Sequence, residues 1–199
     1  LPSRPYPQLR DQLKTGDLVL VSGRTLASRL VRGLTGSRWS HVGLVVRLPD
    51  MPQTPLLWEA TRASKVHDIM HGRPFDGVQL VALDDRVVSY PGLVAVRRLQ
   101  GVHTDADARA RLDELIDAWR AKPYRNFARQ HLSAWVRGEE ALAFQRGGFC
   151  SELVAEVYRQ WRLLPADRPA RHYVPRDFSS DAGVPLLRGA LSPACLLSV

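Results

Sequence analysis

The sequence predicts a single α+β domain spanning residues 1–199. Three observations lead there. The chain has 199 residues and 45% apolar content, enough to bury one real core. Its strand-like segments, short apolar runs bounded by Gly, Pro and polar residues, all fall before residue 100. Helix-period segments dominate after it. Strands first and helices second point to α+β, where a doubly wound sheet would alternate the two.

The elements follow in order. The opening "LPSRPYPQ" holds three prolines and reads as an irregular arm. "GDLVLVS", Gly16 to Ser22, reads as a strand. "TLASRLVRGLTG", Thr25 to Gly36, reads as a helix with Leu26, Leu30, Val31 and Leu34 on one face and Gly36 as its C-cap. "SHVGLVV", Ser40 to Val46, and "PLLWEAT", Pro55 to Thr61, read as strands of the buried type. Two more strands are expected at Val78–Leu83 and Leu93–Leu99. Thr104 is the expected N-cap of the next helix, with Asp105 and Asp107 suiting the positive end of its dipole. Ala108, Leu112, Leu115, Ile116 and Trp119 form that helix's apolar stripe. Asn126–Val136 and Cys150–Leu163 read as two further helices. The tail after Pro165 is rich in Pro and Arg and reads as mostly irregular.

Composition excludes several function classes. No run approaches the roughly 18 apolar residues a membrane helix needs. The net charge of +8, carried mostly by Arg, favours anionic partners such as an envelope polymer or a membrane surface. The basic residues are scattered and no aromatic-interleaved cluster or nucleic-acid motif appears, so no nucleic acid is expected. Two cysteines, Cys150 and Cys195, are too few for a zinc site of the CxxC…CxxC kind, though they suffice for one disulfide. His67 and His71 in "HDIMH" have the i, i+4 spacing of a helical metal pair. The motif is not HExxH, no third ligand is evident, and the following Gly-Arg-Pro opposes a long helix. No metal and no cofactor are expected. The chain begins at Leu1 without a charged-then-apolar leader; a removed leader or a trimmed chain would look the same, so the compartment stays open.

"GGFCSEL", Gly147 to Leu153, carries the first chemical signal. Cys150 falls in the first turn of a helix, where unpaired backbone N–H groups and the dipole stabilise a thiolate and can hold an oxyanion. The preceding glycines allow a sharp turn and a close approach. The alternative is a buried thiol that packs as a small hydrophobe. Cys195, in "PACLLSV" with no helix after it, reads as a structural thiol or as a disulfide partner that would silence Cys150.

A thiol nucleophile needs a base and the base needs an orienting group. His41 is the unusual one of six histidines because it lies within an apolar strand. His103, His131 and His172 read as surface or capping residues. Glu59 follows "LLW" in another apolar strand, where a lone buried carboxylate is costly. Residues 41 and 59 are symmetric about Asp50, in the middle of "RLPDMPQTP". In a simple hairpin around that loop, opposing residues have numbers that sum to 100, and His41 would face Glu59 directly. A one-residue slip would put them on opposite faces. Glu59 as an exposed strand-end charge is the competing reading.

Taken together, "GDLVLV", "SHVGLVV", "WEA", "KPY" (Lys122–Tyr124), "FCSELV" and "YVPRDF" (Tyr173–Phe178) resemble the motifs of the permuted papain-like hydrolases. These are a circularly permuted branch of the NlpC/P60 superfamily, and within it the chain looks like the YaeF/YiiX-type amidases. The resemblance spans most of the chain in the family's order. It implies an antiparallel sheet packed against helices, with the nucleophile at a helix N-terminus that follows the His strand. It further implies Cys150 as nucleophile, His41 as base, Glu59 as the group that orients His41, and an envelope location. Trp39 and Ser40, just before His41, and Tyr124 are candidates to line the substrate cleft, with simple packing as the alternative. Tyr173–Phe178 reads as closing the fold.

The resulting expectation is a cysteine amidase or peptidase acting on a peptide, a peptidoglycan stem peptide or a lipid or amino-acid amide. Two alternatives stay open. One is acyl transfer or lipid deacylation, as in relatives that resemble lecithin:retinol acyltransferase. The other is a non-catalytic binding domain on the same fold.

Overall fold

A computed structural model describes residues 1–61, 64–120, 122, 148–181 and 183–198. The helix expected at Asn126–Val136 and Tyr124 lie outside the described residues, as do His131 and Gly147.

The centre is a nine-stranded sheet with helices on both faces. In chain order the described elements are β1 (Ser3–Pro5), α1 (Tyr6–Arg10), β2 (Leu18–Ser22), α2 (Leu26–Thr35), β3 (His41–Val46) and β4 (Leu56–Thr61). Then come β5 (His67–Asp68), β6 (Arg73–Pro74), β7 (Gly77–Ala82), α3 (Leu83–Ser89), β8 (Leu93–Arg97), β9 (Leu99–Gln100) and α4 (Ala106–Trp119). The helix Gly148–Gln160, called α5 here, is followed by two 3₁₀ turns, Ala170–His172 and Pro175–Phe178, and by β10 (Ala190–Leu191) and β11 (Cys195–Ser198). The strand order is β1-β11-β8-β2-β3-β4-β7-β5-β6, and β9 pairs separately with β10.

Strand alternation divides the core in two. Leu20, Val42, Leu44, Trp58 and Leu80 point to one face, where α4 and α5 supply Leu112, Ile116, Leu153, Val154 and Val157. Val21, Val45, Leu57, Val81 and Val96 point to the other, against Tyr6, Leu9, Leu13 and the α3 residues Leu83 and Val87. Burial on both faces is why these strands read as continuous apolar runs rather than alternating ones. α2 ends as its sequence predicts and begins one residue later, at Leu26. Thr25 caps it by accepting a 3.1 Å hydrogen bond from the Ser28 N–H, and Gly36 takes the left-handed conformation at φ 58°.

Several expectations need correction. The opening arm is not irregular: β1 pairs in parallel with β11, so the sheet is not purely antiparallel, and Tyr6 and Leu9 of α1 are buried. Its prolines are accommodated because β1 is an edge strand and Pro7 sits in the first turn of α1. The tail likewise gives an interior strand of the sheet, β11. Buried Arg97 ties it down, donating to the carbonyls of Phe178, Ser179, Leu191 and Ser192 at 2.7–3.0 Å. Asp105 rather than Thr104 caps α4, its Oδ1 accepting the Ala108 N–H at 2.8 Å. Leu26 of α2 is 83% exposed and does not join a buried stripe. His67 lies in a short strand and His71 turns back to bond Asp68, so the i, i+4 spacing of the two is not a helical one. Neither Cys150 nor Cys195 is in a disulfide.

The hairpin register also differs. Leu44 pairs with Trp58, Val45 with Leu57 and Val46 with Leu56, so opposing numbers sum to 102 rather than 100. Continued along the strands, this sets Gly43 across from Glu59 and His41 across from Thr61. The displacement keeps parity, so His41 and Glu59 still share a face as diagonal neighbours. Gly43 makes the diagonal workable, because no side chain stands between them. A Cβ there would lie 2.6 Å from Leu57 Cδ1 and 3.2 Å from the Trp58 carbonyl oxygen. Gly43→Ala is therefore expected to destabilise the protein by about 1–3 kcal/mol, read from chemical denaturation. A neutral result would mean that Leu57 can rotate away at no cost.

Candidate active site

Three elements bring the site together. β3 supplies His41 as its first residue, β4 supplies Glu59, and α5 supplies Cys150 in its first turn. His41 and Glu59 lie on the α3 face of the sheet, while Cys150 comes from α5 on the other face. They meet because His41 stands at the end of its strand, where the start of α5 arrives. The backbone N–H of Val42 donates to the Cys150 sulfur, which fixes α5 to the end of β3. Ser151 anchors the same turn by donating from its hydroxyl to the Tyr173 carbonyl at 2.6 Å.

The three side chains form a hydrogen-bonded series. His41 Nε2 is 2.6 Å from Glu59 Oε2. His41 also bonds Cys150, and with Nε2 occupied by Glu59 the remaining ring nitrogen, Nδ1, is the one left for the thiol. The central residue is the most accessible of the three: the His41 side chain keeps 14% of its surface exposed and Glu59 none. Cys150 is 5% exposed.

A buried carboxylate needs partners, and Glu59 has them. Gln79 Nε2 donates to its Oε1 at 2.8 Å and Arg86 Nε lies 3.1 Å from the same oxygen. Arg86 also donates to Oε2 at 3.4 Å. Gln79 in turn reaches Ser64 Oγ at 3.1 Å. Glu59 is therefore an interior charge and not an exposed strand end.

This arrangement sets the protonation states. Burial pushes the Glu59 carboxyl up, but Arg86, His41 and Gln79 outweigh it and bring it from 4.5 down to about 2. Burial opposes charge on His41, yet the Cys150 thiolate and Glu59 raise it from 6.5 to about 10. Burial likewise opposes the Cys150 thiolate, while His41 and the Val42 and Ser151 N–H groups bring its pKa below the usual value. Each shift favours the charged form: the carboxylate at Glu59, the imidazolium at His41 and the thiolate at Cys150.

Two pH dependences follow. The lowered Glu59 carboxyl stabilises the fold fully above pH 4.5, and that contribution is lost as pH falls toward about 2. A Tm profile should decline across that interval in the wild type and less steeply in Glu59→Gln. On the alkaline side, His41 loses its proton as pH rises through about 10, and an NMR titration of its ring should show the midpoint there.

Of the other sequence candidates, Trp39 is 1% exposed and packs in the α4/α5 core. Ser40 Oγ accepts the Gly23 N–H at 3.0 Å and donates to the Val21 carbonyl at 3.3 Å, clamping the end of β2. Tyr173 and Phe178 are buried beside Tyr158 in the same core. Gln79 and Arg86 were not singled out from the sequence. Gln79 carried a signal, since it is polar within the apolar run "VQLVA", the same oddity that marked His41 and Glu59. Arg86 carried none, because α3 has no distinctive pattern.

No protein-family model matches this sequence, and no curated protein matches it. Among solved structures it matches the metalloprotein YiiX of Escherichia coli O157:H7 at 18% identity and a TM-score of 0.50, over 94% of this chain and 97% of that one. At that identity the likeness establishes a shared mixed α+β fold.

Proposed function

We propose that this chain is a cysteine hydrolase that cleaves an amide bond, with Cys150 as nucleophile, His41 as base and acid, and Glu59 as the positioning residue for His41. The observation that carries the reading is the buried series Cys150–His41–Glu59, with Cys150 in the first turn of α5. The order of His strand, Glu strand and late Cys helix supports a circularly permuted papain-like arrangement of the fold.

In the reaction, His41 takes the thiol proton and the thiolate attacks the acyl carbon. First-turn N–H groups of α5, that of Cys150 among them, donate to the developing oxyanion. His41 then gives the proton to the leaving amine as the C–N bond breaks. Water, losing a proton to His41, attacks the thioester, and the acid leaves as the thiol is restored.

A metal is not part of this mechanism. YiiX is a metalloprotein, but the described residues here do not fit an ion, because no three His, Cys, Asp or Glu side chains are grouped to share one. Both Glu59 oxygens are already engaged by His41, Gln79 and Arg86. Among the described residues no helix is long and apolar enough to cross a membrane.

The test is to incubate the protein with amide and ester libraries and detect the acyl adduct by intact mass and peptide mapping. An adduct on Cys150 that turns over is expected. No adduct from any library, or one on Cys195 alone, would remove the reading. Turnover that needs a second acyl acceptor would favour transfer over hydrolysis.

A further inference from the structure

A cavity of about 420 Å³ opens beside the site and is not used by the mechanism above. Two of its wall residues place it on the His41–Glu59 side of the sheet. Arg86 is the residue paired with Glu59, and Thr61 is two residues beyond Glu59 on β4, so it shares that face. The volume suits a group of one or two residues' size.

The wall is cationic. Arg24, Lys65 and Arg86 line it, and no Asp or Glu does among the described residues. Arg86 is committed to Glu59, and its guanidinium lies 5.1 Å from the centre of the Tyr90 ring. Arg24 and Lys65 have no hydrogen bond or ion pair among the described residues. The apolar part of the wall is Val66, Pro91 and the Tyr90 ring. Two such cations beside an apolar wall, on the side of the sheet that carries His41 and Glu59, are matched by a substrate with a short stem that ends in oxyanions.

We propose that this cavity is a substrate subsite for an anionic oxygen group, a carboxylate or a phosphate, bound by Arg24 and Lys65 while Tyr90, Val66 and Pro91 pack its stem. The assignment of this ligand to a substrate rests on Cys150 being the nucleophile; the binding of the anion does not. Both cations are exposed, so binding should weaken as ionic strength rises.

Binding is tested by calorimetry in the Cys150→Ala protein, which needs no turnover. The probes are N-acetylglutamate for carboxylate, N-acetyl-O-phosphoethanolamine for phosphate, and the neutral N-acetylglutamine amide. At least one anion should bind about tenfold or more tighter than the neutral probe, and Arg24→Ala/Lys65→Ala should abolish that margin. The tighter anion identifies the source. Equal binding of all three, or a margin that survives the double substitution, overturns the subsite.

Its place in the reaction is read by alkylating Cys150 in the otherwise unaltered protein, where the thiolate displaces iodide. The iodoacetate to iodoacetamide rate ratio should fall about fivefold or more in Arg24→Ala/Lys65→Ala. An unchanged ratio with fast iodoacetamide labelling removes this inference and leaves the nucleophile intact. Slow labelling by both reagents removes the nucleophile reading, and calorimetry still decides the subsite.

Discussion

Cys150→Ser is expected to lower the turnover of a cleavable amide by roughly 10³-fold or more while leaving the fold intact. Serine fills the space of the thiol, so the α5 start and its Ser151 anchor should survive, and thermal unfolding should change little. The chemistry should not survive. The His41 pair with Cys150 is built around a thiolate held by the imidazolium and by the Val42 and Ser151 N–H groups. A hydroxyl does not ionise in that setting at neutral pH, so on the proposed mechanism the ground state loses its nucleophile. Cys195 gives an internal reference. It is the more exposed thiol, lying in β11, and simple access would label it first. In the wild type near pH 7, iodoacetamide should instead label Cys150 faster. Faster labelling of Cys195, together with full turnover by Cys150→Ser, would show that Cys150 is only a packed core thiol.

Glu59→Gln is expected to lower kcat/KM by about 10²–10⁴-fold and to move the pH profile. Glutamine keeps the shape and can still meet Gln79, but it removes the charge that holds His41 as an imidazolium. Without it, His41 should lose its proton below about 10, and the Cys150 thiolate, deprived of a firm cation, should form at higher pH. The active window should therefore narrow from both sides, an outcome that a merely structural Glu59 would not produce. The same substitution leaves Arg86, 12% exposed at its side chain, without its carboxylate. Removing one partner of a buried pair costs about 3–5 kcal/mol. Adding Arg86→Met to Glu59→Gln should recover much of that stability and none of the activity. A double variant that regained activity would make the ion pair, rather than the His41 contact, the origin of the loss.

The parts of the site that were legible in the sequence share one physical basis. A polar side chain inside an apolar strand must find a partner, and "SHVGLVV" and "LLWEA" announce two such residues without any structure. Their equal distance from the loop places them on one face, because parity survives an even shift in register. The start of α5 was legible too, since a glycine pair before an apolar helical period marks a helix beginning. The same argument applied to "VQLVA" would have found Gln79. It could not have found Arg86, because an arginine on a short helix looks the same whether it faces solvent or a buried carboxylate.

The sequence by itself thus determined the mixed α+β class, the strands β2, β3, β4 and β7, the C-cap of α2, and the two polar residues of β3 and β4 that need a partner. These depend on local periodicity and on the cost of burying polar groups, which neighbouring residues record. The tertiary structure alone decided the rest: that β1 and β11 extend the sheet beyond β8, that the hairpin shifts so that Gly43 opens the diagonal to Glu59, and that Cys150 crosses from the other face to reach His41. It also decided that Arg24 and Lys65 share one cavity. Each of these joins segments distant in the chain, or turns on the angle of a loop, and such contacts are fixed by how two surfaces pack rather than by any residue's neighbours in sequence.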